Sequence, residues 1–319
     1  MKKGKGGRKQ AKTGNGRITD IELDKASGIS ALSRQLGKAG FQATNLREAV
    51  DVIKEMRGKK ATVYFSFTAN MVASGLRGVI KDVCRKGIAD VVVTTAGSLD
   101  HDVIKSFMPY EMGSFNVDDV QLHKKGINRI GNVFVHNSRY VLFEKKIQGI
   151  FSRVYERNNV VSPSELCREI GKHLDKSSFL YWCAKNNTPV FCPGITDGAI
   201  GLQMYFFKQE HPDFIVDVTA DMKHLADIVL GAEKAGGIIL GGGISKHHII
   251  GANIVRDGLD YAVYVSTAQE YDGSLSGAQT KEAKSWGKIR QAGRSVNVTG
   301  DASILFPIIM KAYFEETGK

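Results

Sequence analysis

Apolar residues recur along this chain in two rhythms. Over Ile29–Leu36 and again over Asn45–Met56 they return every three to four residues, the spacing that gathers them on one face of an α-helix. Beyond residue 60 the rhythm changes to short unbroken runs: Ala61–Phe67, Asp90–Val93, Pro189–Phe191, Gly237–Leu240, Tyr261–Val265 and Val296–Val298. Unbroken runs alternating with helical sequence describe strands buried on both faces, as in a parallel sheet wrapped by helices. The pattern predicts an α/β fold: a Rossmann-like, mostly parallel sheet with helices on both faces, in a single large domain over residues 25–319.

Each run closes on small or hydroxyl residues and then opens into helical sequence. The closing segments are Thr68-Ala69-Asn70, Thr94-Thr95-Ala96-Gly97, Thr196-Asp197-Gly198, Gly241-Gly242-Gly243, Ser266-Thr267-Ala268 and Asp301-Ala302-Ser303. In parallel sheets ligands gather at the carboxyl ends of the strands, where loops meet helix N-termini. Small residues there let a large anionic ligand approach backbone N–H groups. The three glycines after Ile238-Ile239-Leu240 are not the G-x-G-x-x-G fingerprint, and alone they read equally well as a tight turn. Asp301 could accept a ribose hydroxyl or merely cap the helix that follows. Together the segments favour a nucleotide site.

Composition alters this picture in one place. With 42% hydrophobic and 24% charged residues the 319-residue chain has an ordinary globular balance and can bury a core without metals or disulfides. Its net charge of +11 would suit nucleic acid, but residues 1–17 carry Lys2, Lys3, Lys5, Arg8, Lys9, Lys12 and Arg17 and no acid. Removing those seven leaves +4 for the other 302 residues. The basicity is therefore that of a Gly- and Lys-rich arm, residues 1–24, expected to be flexible and solvated; without stacking aromatics, nucleic acid is not an expected partner. Cys84, Cys167, Cys183 and Cys192 show no CxxC spacing and read as reduced core thiols, with no metal site expected. Thr19–Lys25 contains three acids where a signal peptide would be apolar, and no run reaches the length of a membrane span. A cytoplasmic protein with no membrane partner is the expectation.

The densest chemistry lies in Ser266–Arg290, too poor in apolar residues to be a core element, yet carrying Glu270, Asp272, Glu282, Trp286 and Lys288. The bland reading is a solvated loop with an incidental lysine. Against it stands the combination: carboxylates and an indole face suit a polycation, and a lysine beside them could form a Schiff base. Crowding by other cations and partial desolvation would favour its free amine.

Tyr261–Arg290, with Tyr271-Asp272-Gly273-Ser274 and Ser285-Trp286-Gly287-Lys288-Ile289, closely resembles the deoxyhypusine synthase family. The resemblance extends in order through Ser66–Gly75, Thr94–Gly97, Gly126–Asn132, Thr196–Gly198, Gly241–His248 and Asp301–Ser303, and covers nearly everything from about residue 25. It implies tightly held NAD as cofactor and spermidine or a related polyamine as donor. It further implies a lysine of translation initiation factor 5A as acceptor, and a homotetramer with active sites shared between subunits. In the family chemistry NAD takes a hydride beside the secondary amine of spermidine, giving an imine. Lys288 would attack that imine and hold the aminobutyl group while 1,3-diaminopropane leaves, before the group passes on and the new imine is reduced. By the same resemblance His247 is the proton shuttle, although a His-His pair at a helix start also reads as capping or metal binding. Trp286 would cover the aliphatic chain, Asp272 and Glu282 would hold its amines, and Ser274 and Ser276 belong to the same pocket. Asn70, Thr95, Ala96, Asp197, Gly242, Gly243, Thr267, Asp301 and Ala302 would line the NAD site.

The chain departs from the family pattern at several points. Gly201 is followed by Leu202 and Gln203 where G-D-M is common, and Leu275 stands where an aspartate is usual. His101, between Asp100 and Asp102, occupies the place of an acid near the cofactor, and Gly251 that of an asparagine. An ammonium group buried without its carboxylate loses a charge-assisted partner worth on the order of 2–3 kcal/mol. Agmatine is therefore an alternative donor, although leucines of this kind also mark archaeal-looking members of the family. Two further alternatives are a homospermidine synthase-like transfer to putrescine and a non-catalytic NAD-binding partner of an active paralogue; retention of Lys288, His247 and Trp286 speaks against the latter.

Overall fold

The computed structural model describes residues 16–319. Six parallel strands form its main sheet: β1 (Thr62–Ser66), β2 (Val91–Val93), β3 (Val190–Phe191), β4 (Ala235–Leu240), β5 (Leu259–Ser266) and β6 (Ile289–Thr299). Their order across the sheet is β6-β5-β4-β1-β2-β3, the doubly wound Rossmann order. The order in which strands are added reverses between β1 and β4, so the crevice for a ligand opens above the carboxyl ends of those two strands. Every one of the six unbroken apolar runs is a strand of this sheet. The two helices read from periodicity are present as Ile29–Leu36 and Phe41–Gly58.

Successive strand residues point to opposite faces, and the core divides accordingly. Val63, Phe65, Phe67, Val92, Ile238, Leu240, Val263 and Val265 pack under Phe41–Gly58, Arg77–Arg85 and Ala302–Thr317. Tyr64, Val91, Val93, Ile239, Ala262 and Tyr264 face the other way, against Val218–Gly231, Gly243–Ala252 and Thr280–Ser285. Burial on both faces is why these strands carry no polar alternation.

Two smaller sheets were not legible in the sequence. Glu111–Met112, Ile127–Ile130 and Val133–His136 make an antiparallel arm in which Val135 is the one buried residue of the three strands. Val160–Val161 pairs in parallel with Ile215–Val216. The expected basic arm falls largely on residues 1–15, outside the described residues. Of its remainder, Thr19 N–H donates to Lys38 O (3.1 Å), and Glu22 N–H and carbonyl both bond the Gln35 side-chain amide (2.7 and 3.0 Å).

Candidate active site

Each of the six strands ends in one of the segments singled out from sequence, so the nine candidate cofactor residues gather on one edge of the sheet. Asn70 follows β1, Thr95 and Ala96 follow β2, Asp197 follows β3, Gly242 and Gly243 follow β4, Thr267 follows β5, and Asp301 and Ala302 follow β6. Asn70, Asp197, Gly243, Thr267 and Asp301 are exposed, whereas Ala96, Gly242 and Ala302 are buried beneath them. Thr68 Oγ1 donates to Asn70 Oδ1 (2.6 Å). Asp301 does cap the last helix, one oxygen accepting Ser303 N–H (2.8 Å), and its second oxygen has no partner among the described residues.

The turn that closes the crevice between β1 and β4 is built from glycines. Gly241 and Gly243 both take positive φ, +78° and +66°, which L side chains rarely adopt. A side chain on Gly243, at the start of the helix Gly243–Ala252, would meet nothing within 4 Å. A Cβ on Gly242 would come within 2.5 Å of the Ser276 backbone, because the loop after β5 folds back over the glycines. Ser276 Oγ accepts Gly243 N–H (3.1 Å) in the same contact.

Sequence reasoning passed over the residue that fastens this loop. Lys246, in the first turn of the glycine-led helix, is only 2% exposed. Its Nζ donates to the carbonyls of Ala278 (2.7 Å) and Leu275 (2.8 Å) and lies 4.5 Å from the Tyr264 ring. Burial lowers its pKa to about 8, with Glu282 pulling it back up and Lys288 pushing it down. Glu282, Lys288 and Lys246 thus share one polar neighbourhood, beside His247 on the exposed side of the same helix. Lys246 sits inside a quoted motif, but one lysine among charged residues gives no sign that it will be buried.

Lys288 Nζ lies 5.2 Å from the centre of the Trp286 ring, which is 65% exposed. The two follow the short helix Thr280–Ser285 on a turn whose Gly287 has φ +67°. Asp272 and Ser274 are exposed and form their own turn, Ser274 N–H donating to Asp272 Oδ1 (2.7 Å). Beside this segment a cleft of about 720 Å³ is lined by Glu270, Glu282, Thr280, Asn45 and Asn297. Glu48 also lines it, paired to Arg294 (2.9 Å).

Not everything converges. Lys288 O accepts Leu259 N–H (3.0 Å), so its backbone lies at the amino end of β5, whereas the six turns lie at the carboxyl ends. Seven residues of strand at about 3.3 Å each put roughly 20 Å between that backbone and Thr267. Leu202 is 52% exposed, and Leu275 packs against the second core cluster. His101 is buried, with Nδ1 2.8 Å from the Tyr110 hydroxyl, and burial lowers its pKa to about 4, which keeps it neutral. A separate cavity of about 400 Å³, lined by Ser162, Arg168, Asn187 and His224, contains none of the candidate residues. No group of three or more potential metal ligands occurs among the described residues, and no helix there is long and apolar enough to cross a membrane.

Comparison with known proteins identifies the family and agrees with the fold. Residues 31–313 match the family model described as deoxyhypusine synthase. A protein of Thermoplasma volcanium named a probable deoxyhypusine synthase is 44% identical over 93% of this chain and 96% of its own length. One of Schizosaccharomyces pombe with the same name is 41% identical over 92% and 90%. Among solved structures, a candidate deoxyhypusine synthase from Entamoeba histolytica superposes with a TM-score of 0.70 at 26% identity, covering 94% of this chain and 98% of that one. A complex of AgrE with ornithine and NAD+ shares the fold alone, with a TM-score of 0.55 at 14% identity over 87% of this chain and 33% of its own.

Proposed function

The chain belongs to the deoxyhypusine synthase family of NAD-dependent transferases, and from that premise we propose that it moves the aminobutyl group of spermidine to a lysine of translation initiation factor 5A, holding it as an imine on Lys288. The observation that carries the reading is the pairing of Lys288 with the exposed Trp286 face, on the segment whose Glu282 lines a mixed-charge cleft together with Glu48, Glu270, Lys281 and Lys284. A polyamine needs these partners: an aromatic face for its methylenes and cations, and carboxylates for its ammonium ends.

Asn70, Thr95, Ala96, Asp197, Gly242, Gly243, Thr267, Asp301 and Ala302 would hold the cofactor, with the first turn of the helix that Gly243 begins suited to its phosphates. NAD, when bound, supplies the hydride acceptor and later the hydride donor. The residues do the rest. The Lys288 nitrogen forms a new bond to the substrate carbon as the bond from that carbon to the departing diamine nitrogen breaks, and that nitrogen leaves with a proton. His247, exposed beside this cluster, would deliver the proton. Asp272, Ser274, Ser276 and Glu282 would position the amine groups.

The distance between the Lys288 backbone and the six strand ends supports a site completed by a second copy, as a homotetramer with shared active sites would provide. Leu202, Tyr205 and Phe206 are 52%, 58% and 45% exposed on Ala199–Glu210, whose first two turns present an apolar surface suited to burial in an assembly. Leu202 and Leu275 offer no carboxylate, which favours agmatine as the alternative donor. Trapping with borohydride after incubation with NAD and either amine, read by intact mass, decides between them. The spermidine reading expects an adduct that disappears in Lys288→Arg. An adduct from agmatine alone would reassign the donor, and none from either amine would remove the covalent route.

A further inference from the structure

The helix Ala96–Phe107, which begins at the β2 turn, buries two carboxylates that do different work. Asp102 is fully buried; it pairs with Arg77 (2.6 Å) and accepts Ser178 Oγ–H (2.6 Å) and Leu180 N–H (3.1 Å), fastening the helices that begin at Arg77 and Phe179. Asp100, 5% exposed, has no cationic partner among the described residues. Its two oxygens accept Ala199 N–H (2.8 Å) and Ile200 N–H (2.9 Å), the first turn of the helix Ala199–Glu210. That helix starts at Gly198, which has no side chain to cap it, so its orphan donors depend on a carboxylate from the neighbouring element. The approach is close: a Cβ on Gly198 would lie 2.8 Å from Asp100 Oδ2 and from Ala96 Cβ.

We infer that Asp100 is a positioning residue for the cofactor, holding the turn that carries Asp197 in register with the turn that carries Thr95 and Ala96. The inference rests on reading those turns as the NAD site. Asp100 itself lies beneath the turns and is not placed against the cofactor. Its clamp is electrostatic, a carboxylate on two N–H donors, and is weaker when the acid is protonated. Tyr110, Tyr140 and Cys192 feel its charge, and all three are themselves pushed upward and stay neutral. His101 beside it on the same helix is neutral as well. Burial raises Asp100 to about 6, offset in part by the Ala199 and Ile200 N–H groups.

The test is NAD binding to the full-length protein, by calorimetry, across pH 5 to 8, for wild type, Asp100→Asn, Asp102→Asn and Asn70→Ala, each with its Tm. Wild-type affinity should fall as pH drops through about 6. Asp100→Asn should bind about tenfold more weakly at neutral pH, in line with a lost charge-assisted bond, and lack that fall. Asp102→Asn should lower Tm without changing affinity well below its melting temperature. Unchanged affinity in Asp100→Asn, or equal losses in the two Asp variants, would overturn the inference. Asn70→Ala separates the two readings: if it also leaves binding intact, the assignment of the NAD turns fails, and if it alone weakens binding, only the clamp does.

Discussion

At the scale of single residues, two side chains decide how the reactive loop behaves. Lys246 is buried with its Nζ on the carbonyls of Leu275 and Ala278, so it ties the loop after β5 to the helix that carries His247. Lys246→Met keeps the length and apolar stem but removes the donor. Charge-assisted bonds of this kind contribute roughly 1.5–3 kcal/mol, so kcat/KM for the amine donor should fall by about 10- to 100-fold. Steady-state kinetics with spermidine check this, and an unaltered kcat/KM would mean the loop holds itself. The two leucines that depart from the family pattern should respond differently to the same change. Leu202 is half-exposed in the single chain, so Leu202→Asp should change the intrinsic stability of a dissociated subunit by no more than about 0.5 kcal/mol and, if spermidine is the donor, lower its KM. Leu275 packs on the second core cluster, so Leu275→Asp should cost about 1–3 kcal/mol, read as a lower denaturation midpoint. Equal stability in both variants would contradict that packing.

At the scale of elements, the terminal helices are joined through one carboxylate. Glu316, near the end of Ala302–Thr317, accepts from Arg47 (2.6 Å) and Lys54 (2.5 Å) on Phe41–Gly58 and from Arg34 (2.9 Å) on Ile29–Leu36, with only 7% of its side chain exposed. The Arg47 guanidinium foremost holds its pKa down at about 2, against an ordinary value of 4.5. A carboxylate whose folded pKa is depressed stabilises the fold fully above the unfolded value, and that contribution is lost as pH falls from about 4.5 towards 2. Glu316→Gln should therefore lower stability by roughly 2–3 kcal/mol at neutral pH and flatten the acid limb between those values. Thermal melts from pH 2 to 7 read both effects. Elements were also where the sequence spoke most clearly. Strands buried on both faces must be apolar without interruption, so β1, β2, β4 and β5 stood out, as did the small residues at their carboxyl ends. The short antiparallel arm around Glu111–His136 lacks a core of its own and left no periodic trace. Asp100 and Lys246 were hidden for a related reason: a charged side chain reads as solvated until tertiary contacts show which N–H or carbonyl groups enclose it. Lys288 and Trp286 were suggested by the carboxylates around them, but their roles came only through the family resemblance, since their spacing alone fits an ordinary loop.

At the scale of the whole molecule, the sheet sets a geometric condition on the chemistry. The turns proposed to hold the cofactor occupy the carboxyl ends of six parallel strands, while the Lys288 backbone is anchored at the amino end of β5. A lysine side chain spans far less than the length of that strand, so a second subunit is the economical source of the missing half. The exposed apolar residues Leu202, Tyr205 and Phe206 begin one turn beyond Asp197, which would bring a partner's surface close to the cofactor turns of this chain. Subunit mixing follows from this arrangement. Lys288→Arg and Asn70→Ala should each be severely impaired alone. Co-refolded or co-expressed, they form some sites that draw the lysine from one parent and the cofactor turns from the other, and a share of those sites is intact. Activity well above that of either parent is the expected outcome, measured as imine trapped per mole of protein. Phe206→Glu, which places a charge on the apolar helix face, should shift the assembly to smaller species by light scattering and abolish complementation together with wild-type activity. If mixed subunits instead show only the mean of their parents while remaining assembled, each chain completes its own site, and the segment around Lys288 must then swing towards the strand ends when substrate binds.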